Sequence, residues 1–316
     1  MVPAQLTPRV AVLCGPTGSG KTRSVVAWRA AGLPVEAINV DALQVYRGFD
    51  AATAKPDAAE RAAVPTWLLD VAEPTEAWNA ARHAALADHA IAEVTARGGW
   101  PVLVGGTGLY IRAILRGLAD IPPVPPAVRD ALAVEWQTRG ANAMHAELQW
   151  RDPAYAARTP PQNRQRVLRA LEVQRATGRT FSDFHRAHAA APDRYRALTV
   201  LLSPPPDALH ARIDRRAAQM APLLLAEVRD WLARGLPPTA PALQALGYRQ
   251  VATWLAGAEP EVDPTRVAVE LAHGHRQYAK RQLTWFRAQH PNLQVADASA
   301  AETVERVRSW FAEPWG

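Results

Sequence analysis

The sequence predicts an α/β protein: an open parallel sheet with helices on both faces, interrupted by an inserted all-helical domain. Strand-like runs at 10–14 "VAVLC", 35–39 "VEAIN", 67–71 "WLLDV" and 101–104 "PVLV" alternate with helix-length segments, the pattern of strands joined by crossover helices. A glycine-rich loop carrying a lysine follows the first run. A fifth run, 198–202 "LTVLL", arrives only after about 95 further residues, far more than one crossover needs.

Taken in order, the first run ends in Cys14, a packing residue by its place. Next, Gly15-Pro16-Thr17-Gly18-Ser19-Gly20-Lys21-Thr22 satisfies G-x-x-x-x-G-K-[ST] and opens the helical run "RSVVAWRAAG". Three glycines let the backbone curl until several N–H groups and the helix N-terminus point at one anionic site. Lys21 adds a mobile positive charge and Thr22 a hydroxyl for Mg²⁺, so the core is P-loop NTPase-like.

The second run leads into "INVDALQVYRGFDAATAKP" (38–56), which places Asp41 just beyond a strand. Ligands of open parallel sheets bind at the carboxyl ends of strands, so Asp41 belongs beside the phosphate loop. There an acid ligates Mg²⁺ or accepts a proton; a helix N-cap is the other reading. The fourth run ends in "GGTGLY", bringing Thr107 to the same edge. Gly105 and Gly106 stand where a nucleotide hydrolase carries an acid, and Asp70 in "WLLDV" reads as its substitute or as a cap or turn residue. No Asn-Lys-x-Asp guanine motif exists. The loop therefore grips the leaving group of a transfer reaction, whether the group transferred is a γ-phosphoryl group or an organic group carried on diphosphate.

Proline clusters at 121–130 "IPPVPPAVRD" and 203–213 "SPPPDALHARI" flank the insert. Inside it, "PPQNRQRVLRALEVQRATG" reads as a helix with Val167, Leu168, Leu171 and Val173 on its apolar side and Gly178 as its stop. From 206 to 290 the pattern is helical again, and in "RQYAKRQLTWFRAQ" Arg276, Lys280 and Arg287 share a face. The division is 1–118 and 191–316 for the core, with 119–190 inserted.

The net charge of +6 is unevenly placed. Residues 151–190 hold eight Arg against two Asp and one Glu, and 264–291 hold four Arg and one Lys against one Glu. Two basic patches suggest a polyanion larger than a mononucleotide; arginine-rich composition, with only three lysines, is the other reading. A single cysteine excludes an internal disulfide and fits a reducing compartment. No apolar run approaches the roughly 18 residues of a membrane span and no export signal opens the chain, so a cytoplasmic protein is expected. His83, His89, His185, His188, His273 and His275 lack metal-ligand spacing. Glu172 and Glu227 read as solvated or ion-paired helix residues.

In order along the chain, "GPTGSGKT", "DALQVYRGFDAATAKP", "LLDVAEPTEAWNA", "VGGTGLY", "RDPAYAARTPPQNRQRVLRALEVQRATGR", "ARIDRRAAQM", "ALGYRQ" and "YAKRQLTWFR" resemble the tRNA dimethylallyltransferase (tRNA isopentenyltransferase) family, from about residue 10 to about 290. The resemblance implies transfer of a dimethylallyl group from dimethylallyl diphosphate to N6 of adenosine 37, beside the anticodon, in tRNAs reading codons that begin with U. Mg²⁺ accompanies the departing diphosphate.

By position, Asp41 resembles the family's general base and Thr107 the residue that contacts the reacting centre and the tRNA. Gly15 to Thr22 resemble the diphosphate cradle, with Arg216 as a further contact. The tRNA-contacting positions correspond to Asp41, Ala42, Leu43 and Gln44, to Thr53, Lys55 and Thr107, and to Arg129. In the insert they correspond to Gln162, Asn163, Arg164, Gln165, Arg166 and Arg169, which makes it the part that grips the anticodon stem-loop. Further on they are Gly247, Tyr248 and Arg249, then Lys280, Arg281, Gln282 and Leu283, then Thr284, Trp285, Phe286 and Arg287.

The chain departs from the family at Ala42, where serine is common, at Thr66-Trp67, where a histidine-rich pair is common, and after Met220, where a glycine is missing. A monomer acting on tRNA without a membrane is the expectation. An enzyme prenylating free adenylate, a small-molecule kinase and a non-catalytic RNA-binding module are the rivals, the first weakened by the helical insert and the basic C-terminal helix.

Overall fold

β1 (Arg9–Cys14) is buried along its whole length and lies between two parallel neighbours. A strand flanked on both sides and covered on both faces must be apolar throughout, which is why "VAVLC" shows no alternation. The computed structural model describes residues 7–257 and 262–313; the outermost ends of the expected core, 1 and 316, lie outside them. After β1 come α1 (Lys21–Ala30), β2 (Val35–Asn39), α2 (Ala58–Ala63), β3 (Thr66–Trp67), α3 (Ala80–Ala96), β4 (Trp100–Gly105) and α4 (Gly108–Arg116). Four helices follow, α5 (Pro126–Arg151), α6 (Pro153–Ala156), α7 (Arg164–Thr177) and α8 (Phe181–Ala189). The chain then returns through β5 (Arg196–Leu202), α9 (Pro206–Ala233), α10 (Tyr248–Ala256), α11 (Pro264–Arg287), β6 (Leu293–Val295) and α12 (Ala301–Ala312).

The strands form one parallel sheet in the order β3-β2-β4-β1-β5-β6. Successive β1 side chains point to opposite faces. Val10, Val12 and Cys14 pack with Ala87, Ile91 and Ile114 on one side, and Ala11 and Leu13 with Val25, Trp28 and Val304 on the other. Burial pushes the Cys14 thiol up to about 12, so it stays an inert packing group.

Two strand expectations change. The run 67–71 pairs only at its start, where Ala37 faces Thr66 and Ile38 faces Trp67; Leu68 and Asp70 then take left-handed backbone, φ 63° and 56°, and lead the chain off the sheet. That conformation costs a non-glycine residue roughly 1–2 kcal/mol. Asn39 Nδ2 donating to the Leu68 carbonyl, Asp70 N–H donating to Gln44 O and the Asp70 carboxylate joining Lys55 and Arg61 offset it. A sixth strand, β6, extends the far edge beside β5.

The chain divides into two units, residues 1–115 with 194–316 and residues 116–193. In the second, Leu132, Met144 and Leu148 pack with Val167, Leu168 and Leu171, and Gly178 ends α7 at φ 72°. α5 breaks at Gly140, φ 79°. Glu135 and Glu147 there hold Arg139 and Arg175, with Arg151 also on Glu147. Part of the insert's arginine excess is therefore neutralised internally. No helix among the described residues is long and apolar enough to cross a membrane.

Candidate functional site

Because β2, β4 and β1 are neighbours, their carboxyl ends open onto one cavity of about 390 Å³. The loop after β1 contributes Thr17, Gly18, Gly20, Lys21 and Thr22; the end of β2 contributes Asp41, Leu43 and Gln44; β4 contributes Val104 and Gly105. α9 adds Arg212 and Arg216, and α11 adds His275, Tyr278 and Gln282. The phosphate loop and the acid past the second strand, far apart in sequence, face one space.

The loop is held from below. Gly15 lies so close to β5 that a Cβ there would stand 2.8 Å from the Leu202 carbonyl oxygen; Gly15, Pro16 and Ser19 do not line the cavity. Lys21 Nζ donates to the Gly15 and Pro16 carbonyls at 3.0 and 2.9 Å, and burial pulls its pKa down to about 8. Arg216 makes no hydrogen bond or ion pair among the described residues and its guanidinium is destabilised by burial, with Asp41 opposing. Two desolvated cations beside backbone N–H groups form a site for a polyanion.

Asp41 is not a helix N-cap. Its Oδ1 accepts the Leu43 N–H at 2.9 Å within a short turn, and Asn39 brackets its backbone, Oδ1 accepting the Asp41 N–H at 3.0 Å. Burial raises the carboxyl pKa, while the Leu43 N–H, Lys21 and Arg216 hold the rise in check. A carboxylate so placed is available to take a proton. Thr107 stands beside it, not in the lining: its hydroxyl accepts the Ala42 N–H at 3.1 Å and is hydrogen-bonded to Tyr278. Ala42 thus contributes its backbone where the family commonly has a serine side chain.

Asp70 is no substitute catalytic acid; it neutralises Lys55 at 2.5 Å and Arg61 at 3.1 Å. Lys55, with 3% of its side chain exposed, also meets Asp50 and the Tyr46 carbonyl, so the expectation that it grips RNA gives way to a cross-link. Thr53 is buried and bonded to the Phe49 carbonyl. Trp67 donates its indole N–H to Glu36, which also binds Arg97.

The remaining expected contacts sort by exposure. In α7 and the turn before it, Gln162, Arg164, Gln165 and Arg166 are exposed; Asn163 caps the helix through Arg166 N–H, and Arg169 pairs with Glu172. Arg129 is exposed on α5. Gly247 and Tyr248 are corrections: Tyr248 is fully buried, donates to Glu227 Oε1 at 2.6 Å and accepts the Ala52 N–H, so it offers RNA no surface. Gly247, φ 85°, abuts Leu271, and only Arg249 of the three is exposed. Glu227, expected to be solvated or ion-paired, instead accepts the Asp50 and Ala51 N–H groups as well. Along α11, Lys280, Arg281, Thr284 and Arg287 are exposed, while Gln282 and Phe286 face inward and Leu283 and Trp285 are half-buried. Trp285 covers Gly108, where a Cβ would stand 2.5 Å from its ring.

Sequence reasoning missed Arg212, His275 and Tyr278. Helical spacing was the available signal: Arg212 precedes Arg216 by four, and His275 and Tyr278 precede Gln282 by seven and four. Burial and Arg216 drive the His275 pKa down to about 4, so it is neutral. No cluster of three or more acidic, His or Cys side chains suited to a metal exists among the described residues.

A phosphate loop, a half-buried acid and two arginines around one cavity of a parallel α/β sheet define a phosphate-loop protein whose site sets a proton acceptor beside a cradle for a polyanion. The sequence model of the IPP transferase family matches residues 44–289. A tRNA dimethylallyltransferase of Anaeromyxobacter dehalogenans is 46% identical over 299 residues, 94% of this chain and 98% of its own. That of Methylibium petroleiphilum is 48% identical over 301 residues, 91% of this chain and 90% of its own. The crystal structure of the full-length tRNA isopentenylpyrophosphate transferase of Bacillus halodurans superimposes with TM-score 0.67 and 34% identity, covering 96% of each chain. The chain belongs to the IPP transferase family.

Proposed function

We propose that the chain is a tRNA dimethylallyltransferase, moving a dimethylallyl group from dimethylallyl diphosphate to N6 of adenosine 37 in tRNAs that read codons beginning with U, and releasing diphosphate. The observation that carries this reading is the single cavity shared by Lys21, Thr22, Arg216 and Asp41. The names of the relatives at 46% and 48% identity support the same chemistry.

An adenine amine is a weak nucleophile because its lone pair is delocalised. As the N6–carbon bond forms and the carbon–oxygen bond of the donor breaks, the electron pair leaves on diphosphate and the amine proton passes to Asp41. The half-buried carboxylate, with its raised pKa, is suited to that transfer. Lys21, Arg216 and the loop N–H groups stabilise the negative charge where it collects. Thr22 supplies a hard hydroxyl oxygen on the cavity wall, which would hold Mg²⁺ together with substrate phosphates and water. An ion bound there would neutralise diphosphate charge.

The target base must leave the anticodon-loop stack, at a cost of a few kcal/mol. Exposed Arg164, Arg166, Lys280 and Arg287 provide phosphate contacts that offset it. In this reading the protein works as a cytoplasmic monomer.

The test is incubation with radiolabelled dimethylallyl diphosphate and either unmodified tRNA or AMP, with labelled ATP as a separate donor. Label in tRNA is expected. Label only in AMP, or phosphoryl transfer from ATP alone, contradicts the proposal.

A further inference from the structure

Gln282 is 6% exposed, and both ends of its amide are engaged. Its Oε1 accepts the backbone N–H of Thr17, inside the phosphate loop, at 3.0 Å. Its Nε2 donates to the Gly106 carbonyl at the end of β4, at 2.9 Å. Only this orientation satisfies both groups; the flipped amide would set donor against donor and acceptor against acceptor. The side chain therefore spans the two strand ends that form the floor of the cavity.

The same contact accounts for the glycine that stands where a hydrolase would carry an acid. A Cβ at Gly106 would lie 2.1 Å from Gln282 Nε2, but 3.3 Å from the next protein atom outside that side chain, Gly15 O. Space at this turn is taken by the glutamine, so the glycine and the glutamine are one device.

α11 presents two faces. His275, Tyr278 and Gln282 look into the cavity, whereas Arg276, Lys280, Thr284 and Arg287 line a separate groove of about 770 Å³. We infer that Gln282 is a positioning residue: it fixes the Thr17 peptide, and through it the curl of the N–H groups that receive the diphosphate. The proposed transfer names the donor, but the contact itself does not depend on that reading.

Gln282→Met keeps the length of the side chain and loses both hydrogen bonds. The expected result is a Kd for inorganic pyrophosphate with Mg²⁺, by calorimetry, weakened about tenfold by the loss of roughly 1–2 kcal/mol of hydrogen bonding. The KM for dimethylallyl diphosphate rises in parallel, kcat changes by less than about threefold as expected for lost ground-state binding, and tRNA affinity is unchanged. Gly106→Ala alone loses pyrophosphate affinity, and combining it with Gln282→Ala returns that affinity to the level of Gln282→Ala alone. Unaltered pyrophosphate affinity in Gln282→Met, or additive losses in the Gly106/Gln282 pair, overturns the inference. Pyrophosphate binding is read without RNA, so failure of the wild-type protein to modify tRNA would remove the proposed function and leave this inference standing.

Discussion

The Thr107 hydroxyl accepts the backbone N–H of Ala42 at 3.1 Å, fastening the end of β4 to the residue beside Asp41. Thr107 N–H in turn donates to the Val40 carbonyl at 3.2 Å, so the turn after β4 and the turn after β2 are bonded twice. The direction of the Asp41 carboxylate depends on this pair of turns, which are more than sixty residues apart in sequence.

Thr107→Val keeps the shape of the side chain and removes the acceptor. Leaving the Ala42 N–H unpaired costs about 1–3 kcal/mol. Because the strain falls on the Asp41 turn, single-turnover rates should drop by roughly 10- to 100-fold, with the melting temperature lowered only slightly. An unchanged rate would show that the turn does not govern Asp41.

The pH dependence has two limbs. Asp41 must be ionised to accept a proton, and burial raises its pKa, so the acid limb of kcat/KM should lie above the ordinary carboxyl value of 3.8. Lys21 is pulled down to about 8 and loses its charge above that value, so donor capture should fall on the alkaline side. A bell-shaped kcat/KM profile with its upper limb near 8 is expected, since this ratio reports the free enzyme. A profile flat to pH 10 would contradict the assignment of Lys21.

Tyr248→Phe separates packing from recognition. Loss of the hydroxyl leaves Glu227 Oε1 and the Ala52 N–H without their partner, at a cost of about 1–3 kcal/mol. Urea denaturation should show the loss, while tRNA affinity of the folded protein stays at the wild-type value. Weakened RNA binding without destabilisation would mean that Tyr248 reaches the RNA.

In the insert, hydrogen bonding to Arg175 pushes Glu135 down to about 2. A carboxylate with a depressed folded pKa contributes stability that is present above its ordinary value near 4.5 and lost as pH falls toward 2. Partial exposure screens the pair, so Glu135→Gln should cost on the order of 1 kcal/mol at neutral pH. Its unfolding midpoint should vary less than that of the wild type between pH 5 and about 2.5. Parallel curves for the two proteins would show that the Glu135 pair does not stabilise the insert.

The strands that carry the site were legible because their apolar runs are continuous, as in "VAVLC" and "PVLV". The phosphate loop and Asp41 were legible because strand–loop placement sends both to the carboxyl edge. β6 was not: three residues, two half-buried and one exposed, carry no period. Nor was the departure after Trp67, since left-handed backbone at Leu68 and Asp70 is sustained by Asn39, Gln44 and Lys55, which only the tertiary fold brings there. "ALGYRQ" reads as a single motif, yet the burial of Tyr248 is decided by Phe49 and Glu227. The cavity face of α11 shows the same limit, because the hydrogen bond of Tyr278 to Thr107 joins residues that only the fold brings together.

In the proposed reaction the half-buried carboxylate of Asp41 accepts a proton opposite the diphosphate cradle. Asp41→Asn, measured by single-turnover transfer to unmodified tRNA alongside filter binding of the same RNA, tests it directly. Removal of a general base is expected to slow the chemical step by about 10²–10⁴-fold, with RNA affinity within about threefold of wild type. A rate loss matched by an equal loss of RNA affinity would contradict the assignment and make Asp41 a binding residue.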